Sequence, residues 1–363
     1  MEPMDDATHE PEDVGRHGEE HGDAPWIDDL LEEDAASRAA HPEATVDRGA
    51  PERVERLDAV PEPGRVYAAA LARSGRLMLG ASAGTQDPAR AHVPDVALEV
   101  AGIRLDQERL DAYRALVGDR AAESTPPGFV HVSLFGLQLA LMTRPDFPLP
   151  MLGMVHVANR VEQLRAVTCA DELTARTWAR ALALRPIGDG EHVGTQVELV
   201  TEVRTAGAVA WQGVSTYLAK GVALPRLPIL ARDPREPFAP PVPTGGWTTD
   251  RVRSKEYARV SGDRNPIHTS SLAARAFGFP RVIAHGMDTA ARALAALGPV
   301  RGEAFTWRVD FAAPVLVPGR VALRVERVDD LETTPDSRRP GWAMRAWEPT
   351  KGRLNLDGSL ALA

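Results

Sequence analysis

The sequence has one cysteine, Cys169, among its 363 residues. A single cysteine cannot form a disulfide within the chain, so a disulfide-stabilised secreted scaffold is excluded. No apolar run reaches the roughly 18 residues that a membrane-spanning helix needs. The first residues, MEPMDDATHE, lack the basic and then apolar segments of a secretory signal. We therefore expect a soluble chain in a reducing cytoplasm, with no membrane partner.

Several motifs that carry chemistry in other proteins are also missing. No group of Cys, His, Asp or Glu residues has metal-ligand spacing, and no Gly-rich phosphate loop follows a strand pattern. The Gly-x-Ser-x-Gly elbow of serine hydrolases is absent as well. We expect no cofactor, no bound metal and no nucleic-acid partner.

Acidic residues are concentrated near the N-terminus. Residues 1–60 hold 19 Asp/Glu and 5 Lys/Arg, a net charge of −14, whereas the whole chain carries −9. The rest of the chain is therefore mildly positive, at +5. Such a body suits a phosphate-bearing ligand or an acidic partner, although surface charge often serves solubility alone.

Composition divides the chain into a tail, two domains and a linker. Residues 1–62 are rich in Glu, Asp, Gly, Pro and Ala, with too few apolar residues to offset the entropy of ordering. We predict a disordered acidic tail there, and a chain that begins near Arg65 should keep its melting temperature. Proline crowds RLPILARDPREPFAPPVPTGG and predicts an extended linker over 225–247. The domains are then 63–224 and 248–363.

The two domains repeat one order of elements. Helix patterns at 105–119 and 252–263 contain YRALVGD and YARVSGD, in which Tyr, Gly and Asp share one register. An apolar segment follows in each domain, and we match Phe135-Gly136 in the first to His285-Gly286 in the second. Alternating strand patterns come next, at 165–182, 195–205, 208–220, 305–317, 320–328 and 342–349. We infer two α+β units, each a long helix wrapped by an antiparallel sheet, whose sheet edges pair into one continuous sheet.

The most informative motif lies in the second domain. Residues 257–268 read YARVSGDRNPIH, followed by GF at 278–279 and IAHGM at 283–287. This stretch resembles the MaoC-like (R)-specific enoyl-CoA hydratases and (3R)-hydroxyacyl-thioester dehydratases, whose signature is Asp-x-Asn-Pro-x-His before a helix that begins His-Gly-Met. The resemblance is close over about 250–320, and the first domain is similar to the degenerate first repeat of double-hotdog members. The resemblance to this family implies a double-hotdog fold.

The chemistry of hydration explains these residue types independently. Adding water to an α,β-unsaturated thioester requires an activated water at one carbon and a proton for its neighbour. Asp263 and His268, brought together across an Asn-Pro turn, can hold one water, with one side chain accepting a proton while the other donates. Pro266 fixes the turn and biases Asn265 away from helix, and Asn265 can orient the water.

The thioester carbonyl becomes enolate-like in the transition state, so a hydrogen-bond donor is needed beside it. A helix N-terminus offers free backbone N–H groups, and we assign this role to the Gly286 amide. We assign His285 to support of the helix start rather than to proton transfer. Arg264 and Arg281 either meet coenzyme A phosphates or are solvated charges. The full set expected to contact the substrate is Ile283, His285, Met287, Thr289, Arg264 and Arg281.

The sequence departs from the family pattern in two places. Asp119 is retained in the first domain, but Ser124 stands where the matching histidine would be. We expect the first domain to be non-catalytic, and the resemblance to two-repeat enzymes implies that its vacant site, lined by 128–142, forms a tunnel for the acyl chain. Leu294 stands where some relatives carry a serine on the central helix. Polar help there comes from Thr289 or from no side chain, which leaves the carbonyl to Gly286.

The leading hypothesis is a hydro-lyase of fatty acid metabolism that converts a trans-2-enoyl-CoA, or the carrier-protein thioester, reversibly to the (3R)-3-hydroxyacyl thioester. One alternative is a catalytically silent acyl-thioester-binding or scaffold protein. Another is a hotdog thioesterase, which would release free coenzyme A. Acyl length, carrier, direction, formation of a homodimer and the division of acid and base roles stay open.

Overall fold

One sheet runs through both halves of the chain. The computed structural model describes residues 49–78, 91–120, 124–187, 192–231, 237–334 and 337–363. Most of the predicted acidic tail therefore lies outside the described residues. Within those ranges, no helix is long and apolar enough to cross a membrane.

The first half contributes six strands and three helices to the described structure. In chain order they are β1 (Val54–Arg56), α1 (Pro63–Met78), β2 (Ala97–Ile103), α2 (Gln107–Val117), α3 (Pro127–Met142), β3 (Met154–Gln163), β4 (Leu173–Ile187), β5 (His192–Thr205) and β6 (Ala208–Lys220).

The second half follows the predicted linker. Its elements are β7 (Gly245–Thr249), α4 (Arg251–Ser261), a 3₁₀ turn (Pro266–His268), α5 (Ser271–Ala276), α6 (Gly286–Ala295), a second 3₁₀ turn (Gly298–Arg301), β8 (Phe305–Phe311), β9 (Gly319–Thr334), β10 (Ser337–Glu348) and β11 (Arg353–Leu362). The helices and strands predicted for both halves are present, whereas α1, α5, β1, β2, β3, β7 and β11 were not predicted.

The strand order shows the internal repeat. Across the described residues it is β1-β2-β4-β5-β6-β3-β8-β11-β10-β9-β7. Without β1, each half supplies five strands in the same relative order. The halves meet where β3 and β8 pair antiparallel, from Ala158 opposite Asp310 to Gln163 opposite Phe305. This confirms the predicted double hotdog, in which two sheets join edge to edge and leave no exposed edge between them.

The helix ends repeat as well. α2 ends at Gly118 with φ 78°, and α4 ends at Gly262 with φ 80°. Each glycine N–H donates to a carbonyl four residues back, at Arg114 and Ala258 respectively. Both helices therefore end in a left-handed cap that a side chain would strain, and in both the next residue is the aspartate of the repeated motif.

The predicted match of Phe135-Gly136 to His285-Gly286 is wrong. α3 already begins at Pro127, where a proline at the first position needs no N–H partner, so Gly136 lies in mid-helix. Nearly every side chain of α3 is buried. An apolar run without periodicity therefore gave no sign of where the helix begins.

The tail also ends earlier than predicted. β1 pairs parallel with β2, with Val54 opposite Ala97, and the Leu57 N–H donates to the Glu99 carbonyl at 2.9 Å. Three residues are too short for an apolar period to reveal a strand. A chain that began near Arg65 would lose this strand, so the structure does not support that expectation of unchanged stability. The linker was predicted to end at residue 247, but β7 already begins at Gly245.

Candidate active site

The segment after α4 is a tight turn that places the motif side chains on one side. Past the Gly262 cap, the Asp263 carboxylate accepts the Asn265 N–H at 3.1 Å. The Asn265 side-chain oxygen in turn accepts the Ile267 N–H at 3.3 Å and caps the 3₁₀ turn. Short polar side chains that bind the backbone two residues on stabilise such turns. Asp263, Asn265 and His268 consequently all line one cavity.

Asp263 and His268 face each other across a gap. His268 Nε2 lies 4.0 Å from Asp263 Oδ2, which is too long for a direct hydrogen bond. His268 Nδ1 is 2.9 Å from the Ile283 carbonyl oxygen. Because a carbonyl only accepts, Nδ1 carries the proton and the Nε2 lone pair is directed toward Asp263. The gap suits a water that donates to both groups.

The surroundings set the charges of this pair. Burial raises the pKa of Asp263, but the imidazoles of His285 and His268 and the hydrogen bonds from Asn265 and Tyr67 together bring it below its ordinary value. Burial lowers the pKa of His268, an effect that the Asp263 carboxylate only partly offsets. At neutral pH, Asp263 is therefore an anion and His268 is neutral.

His285 supports this turn from behind. Its Nε2 donates to the Asp263 carbonyl oxygen at 3.0 Å, and its ring stacks on that of His268 with centroids 3.8 Å apart. Burial is the main cause that lowers the pKa of His285 to about 3, and repulsion from His268 when that ring is protonated adds to it. A neutral imidazole committed to a backbone carbonyl is suited to support rather than to proton transfer.

The start of α6 forms the neighbouring wall. Ala284 donates to the Val315 carbonyl at 2.8 Å, which fixes the chain just before the helix. His285 makes no side-chain cap, and the first N–H groups of a helix have no acceptor within it. A Cβ on Gly286 would lie 3.0 Å from the Phe311 ring. Residue 286 therefore has no room for a side chain unless Phe311 moves.

Both halves of the chain line the cavity. α3 contributes a stripe of side chains three or four residues apart, His131, Phe135, Leu139 and Met142, which share one helix face. His156 on β3 stacks with His131 at 5.9 Å. Burial lowers the pKa of His131 to about 4 and that of His156 to about 3. The first-half wall is therefore largely apolar, with neutral imidazoles set into it.

The predicted substrate-contacting residues divide into two groups. Ile283, His285, Met287 and Thr289 line the cavity. Arg264 and Arg281 are exposed and lie outside its lining.

The matching motif in the first half is used differently. Asp119 forms a buried ion pair with Arg301, and their side chains are 2% and 1% exposed. Ser124, at the place of the missing histidine, is buried too. Since Arg301 belongs to the second half, the retained aspartate links the two repeats.

Sequence reasoning missed Tyr67. Its hydroxyl donates to Asp263 Oδ1 at 3.0 Å, although the two residues are 196 positions apart. The initial Pro-Gly and the Ala-rich run of α1 are helix signals, but no local pattern shows that this helix reaches the second repeat.

Asp263, His268 and His285 also meet the minimal geometry for a cation, since one ligand atom from each lies within 4.8 Å of the others. Their spacing in sequence gave no sign of this. His268 Nδ1 and His285 Nε2 already face backbone carbonyls, so a metal would require the other ring nitrogens. The same cluster equally suits a single water molecule.

Known proteins with a similar sequence identify the family of this chain. Residues 236–338 match the MaoC like domain family. The 3-hydroxyacyl-thioester dehydratase X of Mycobacterium tuberculosis is 34% identical over 280 residues, 75% of this chain and 91% of that protein. The chain belongs to the MaoC-like dehydratase family and is a hydro-lyase, an enzyme that adds or removes water.

Solved structures agree with this assignment. The crystal structure of HtdX from Mycobacterium tuberculosis aligns with a TM-score of 0.60 and 30% identity, over 74% of this chain and 100% of that one. A MaoC-like dehydratase from Phytophthora capsici, 18% identical with a TM-score of 0.54, covers 77% of this chain and 98% of its own and shares the fold. The 3-hydroxybutyryl-CoA dehydratase of Methylorubrum extorquens is 38% identical over 87 residues, 23% of this chain and 54% of that protein.

Proposed function

We propose that the chain interconverts a trans-2-enoyl thioester and a (3R)-3-hydroxyacyl thioester, with Asp263 and His268 as the catalytic pair. The observation that carries the proposal is the 4.0 Å gap between Asp263 Oδ2 and His268 Nε2 beside the start of α6. A carboxylate and a neutral imidazole can accept both protons of one water. The names of the relatives support an acyl-thioester substrate.

Hydration then needs few groups. The water oxygen bonds to C3 of the enoyl chain while the pair takes one of its protons. That proton is delivered to C2, so the net change is the addition of H and OH across one double bond. Because both acceptors lie on the same side of the cavity, we expect addition to one face of the substrate, and we assign the (3R) product to that face.

The carbonyl is stabilised by backbone. As electrons move from C3 toward the thioester, negative charge grows on its oxygen. The unpaired amides at the start of α6, with Gly286 first, are suited to that charge because a helix N-terminus carries partial positive charge. The Phe311 ring fills the place that a side chain at residue 286 would take, so glycine is the residue that leaves this helix start undisplaced.

The acyl chain is assigned to the first repeat. The stripe on α3 and the neighbouring β3 line the same cavity as the Asp263–His268 pair, mainly with apolar side chains. Met142 and Met151 in this wall can adapt to chains of different length. The carrier is coenzyme A or an acyl carrier protein, and Arg264 and Arg281 stand on the surface that would meet either one.

A coupled assay tests the proposal. The protein is mixed with enoyl-CoA substrates of increasing length, and the product is offered to dehydrogenases specific for (3R)- or (3S)-3-hydroxyacyl-CoA. Signal with the (3R) enzyme alone is expected, and signal with the (3S) enzyme would contradict the assigned face. A thiol reagent run in parallel identifies a thioesterase through released coenzyme A. Binding of enoyl-CoA without turnover would favour the silent acyl-thioester-binding protein.

A further inference from the structure

The N-terminal strap, residues 54–70, connects the first repeat to the catalytic turn of the second. It starts as β1, held on β2 by the parallel pairing of Val54 with Ala97. It lies outside the segment that matches the MaoC like domain, residues 236–338. Beyond β1, the strap packs closely against the rest of the protein at three places, and a glycine makes each contact possible.

The first approach is to the central helix of the first repeat. A Cβ on Gly136 would lie 1.7 Å from the Pro61 carbonyl oxygen and 3.3 Å from Val60 Cγ1. Real side chains do not come this close, so the strap crosses α3 only because residue 136 is glycine. This explains a mid-helix glycine that would otherwise cost about 0.5–1 kcal/mol relative to alanine.

The next two approaches flank the catalytic aspartate. A Cβ on Gly262 would meet Pro63 Cγ at 3.3 Å. On the other side of Asp263, a Cβ on Gly64 would meet Arg264 Cδ at 3.4 Å. The strap therefore packs against the residues immediately before and after Asp263.

Tyr67 completes the contact. Its side chain is 6% exposed, lines the cavity and donates to Asp263 Oδ1 at 3.0 Å. Oδ1 also accepts the Asn265 N–H at 3.1 Å. Two donors on one oxygen fix the rotation of the carboxylate, so that the other oxygen, Oδ2, is directed at His268.

We infer that Tyr67 is a positioning residue for Asp263, and that the N-terminal strap is part of the active site. The inference rests on the proposed function of Asp263. Tyr67 holds the carboxylate anionic and oriented, and it acts on the substrate only through that group. Burial raises the pKa of Tyr67 well above its ordinary value, so the hydroxyl remains a donor throughout the working range.

The test compares Tyr67→Phe with the wild-type full chain. Loss of a hydrogen bond to a charged group should lower kcat about 10- to 100-fold, with little change in KM. Since the lost donor helps to lower the pKa of Asp263, the acidic limb of the kcat/KM profile should move to higher pH. Tyr113→Phe is the matched control, because Tyr113 is also a buried tyrosine but does not line the cavity.

Two results would overturn the inference. One is a Tyr67→Phe enzyme with the wild-type kcat and pH profile. The other is a raised KM with an unchanged acidic limb, which would make Tyr67 a substrate contact. Gly136→Ala displaces the strap from a distance and should reproduce the Tyr67→Phe shift. If Tyr67→Phe does not fold, Gly136→Ala tests the same inference in its place.

A readout without turnover separates this inference from the proposed function. Carbon-13 labelling of aspartate carboxyls, with Asp263→Asn to assign the signal, follows the titration of Asp263 directly. Its pKa should rise in Tyr67→Phe and stay constant in Tyr113→Phe. If the pKa of Asp263 rises in Tyr67→Phe but the wild type shows no turnover, only the proposed function is overturned. If the pKa of Asp263 is the same in Tyr67→Phe and the wild type, the role of Tyr67 is overturned.

Discussion

The two aspartates of the repeated motif should respond in opposite ways to the same substitution. Asp119 pairs with Arg301 inside the protein, and both side chains are almost fully buried. Asp119→Asn keeps the shape but leaves the buried guanidinium without its compensating charge. Breaking such a pair costs about 3–5 kcal/mol, out of a total stability of about 5–15 kcal/mol. With an unfolding entropy of about 2.1 cal/mol/K per residue over the roughly 290 residues that the structure describes, the melting temperature should fall by about 5–8 °C.

The assay is denaturant unfolding together with turnover of an enoyl thioester. Asp263→Asn is the matched control, since its carboxylate faces the cavity and is 23% exposed. We expect Asp119→Asn to lose stability and keep turnover wherever it is folded, and Asp263→Asn to lose turnover and keep most of its stability. Full stability with lost turnover in Asp119→Asn would refute the structural role of the first motif.

Three further predictions follow from the same contacts. Gly286→Ala should lower kcat at least tenfold, because the new Cβ would press on Phe311 at 3.0 Å and shift the amides of α6; unchanged kcat would show that these amides do not bind the carbonyl. A chain that begins at residue 49 should keep the full melting temperature, whereas one that begins at residue 65 should lose several degrees because it lacks β1 and Pro61; equal melting temperatures would contradict a structural strap. Stability should also fall on acidification. Three histidines are held neutral by burial, with pKa values lowered from 6.5 to about 4 or about 3, so the unfolded chain binds more protons below pH 6.5. The stability that these three histidines contribute is complete above pH 6.5 and is lost below it, at about 2 kcal/mol each by pH 5. The three are His131, His156 and His285. A denaturation midpoint as high at pH 5 as at pH 7 would contradict this prediction.

Much of the second repeat was predictable because its signals are local. The glycine cap before Asp263, the turn at Pro266 and the helix that starts at Gly286 each depend on residues a few positions apart. The repeat itself was visible from the Tyr-x-x-x-x-Gly-Asp spacing, and in the structure both glycines form a left-handed cap.

What could not be predicted depends on contacts distant in sequence. Tyr67 meets Asp263 across 196 positions, and Arg301 meets Asp119 across 182. The meaning of Gly136 becomes clear only when Pro61 is seen to cross it. The start of α3 was missed for another reason, because a helix buried on all sides has no apolar face to mark its phase.

The proposed function requires that Asp263 and His268 together add water to an enoyl thioester. The most direct measurement follows the loss of enoyl absorbance when the purified wild type and Asp263→Asn are mixed with the same enoyl-CoA, after both are shown to be folded. We expect loss of absorbance with the wild type and a rate reduced at least a thousandfold in the variant. A folded Asp263→Asn enzyme with the wild-type rate would contradict it.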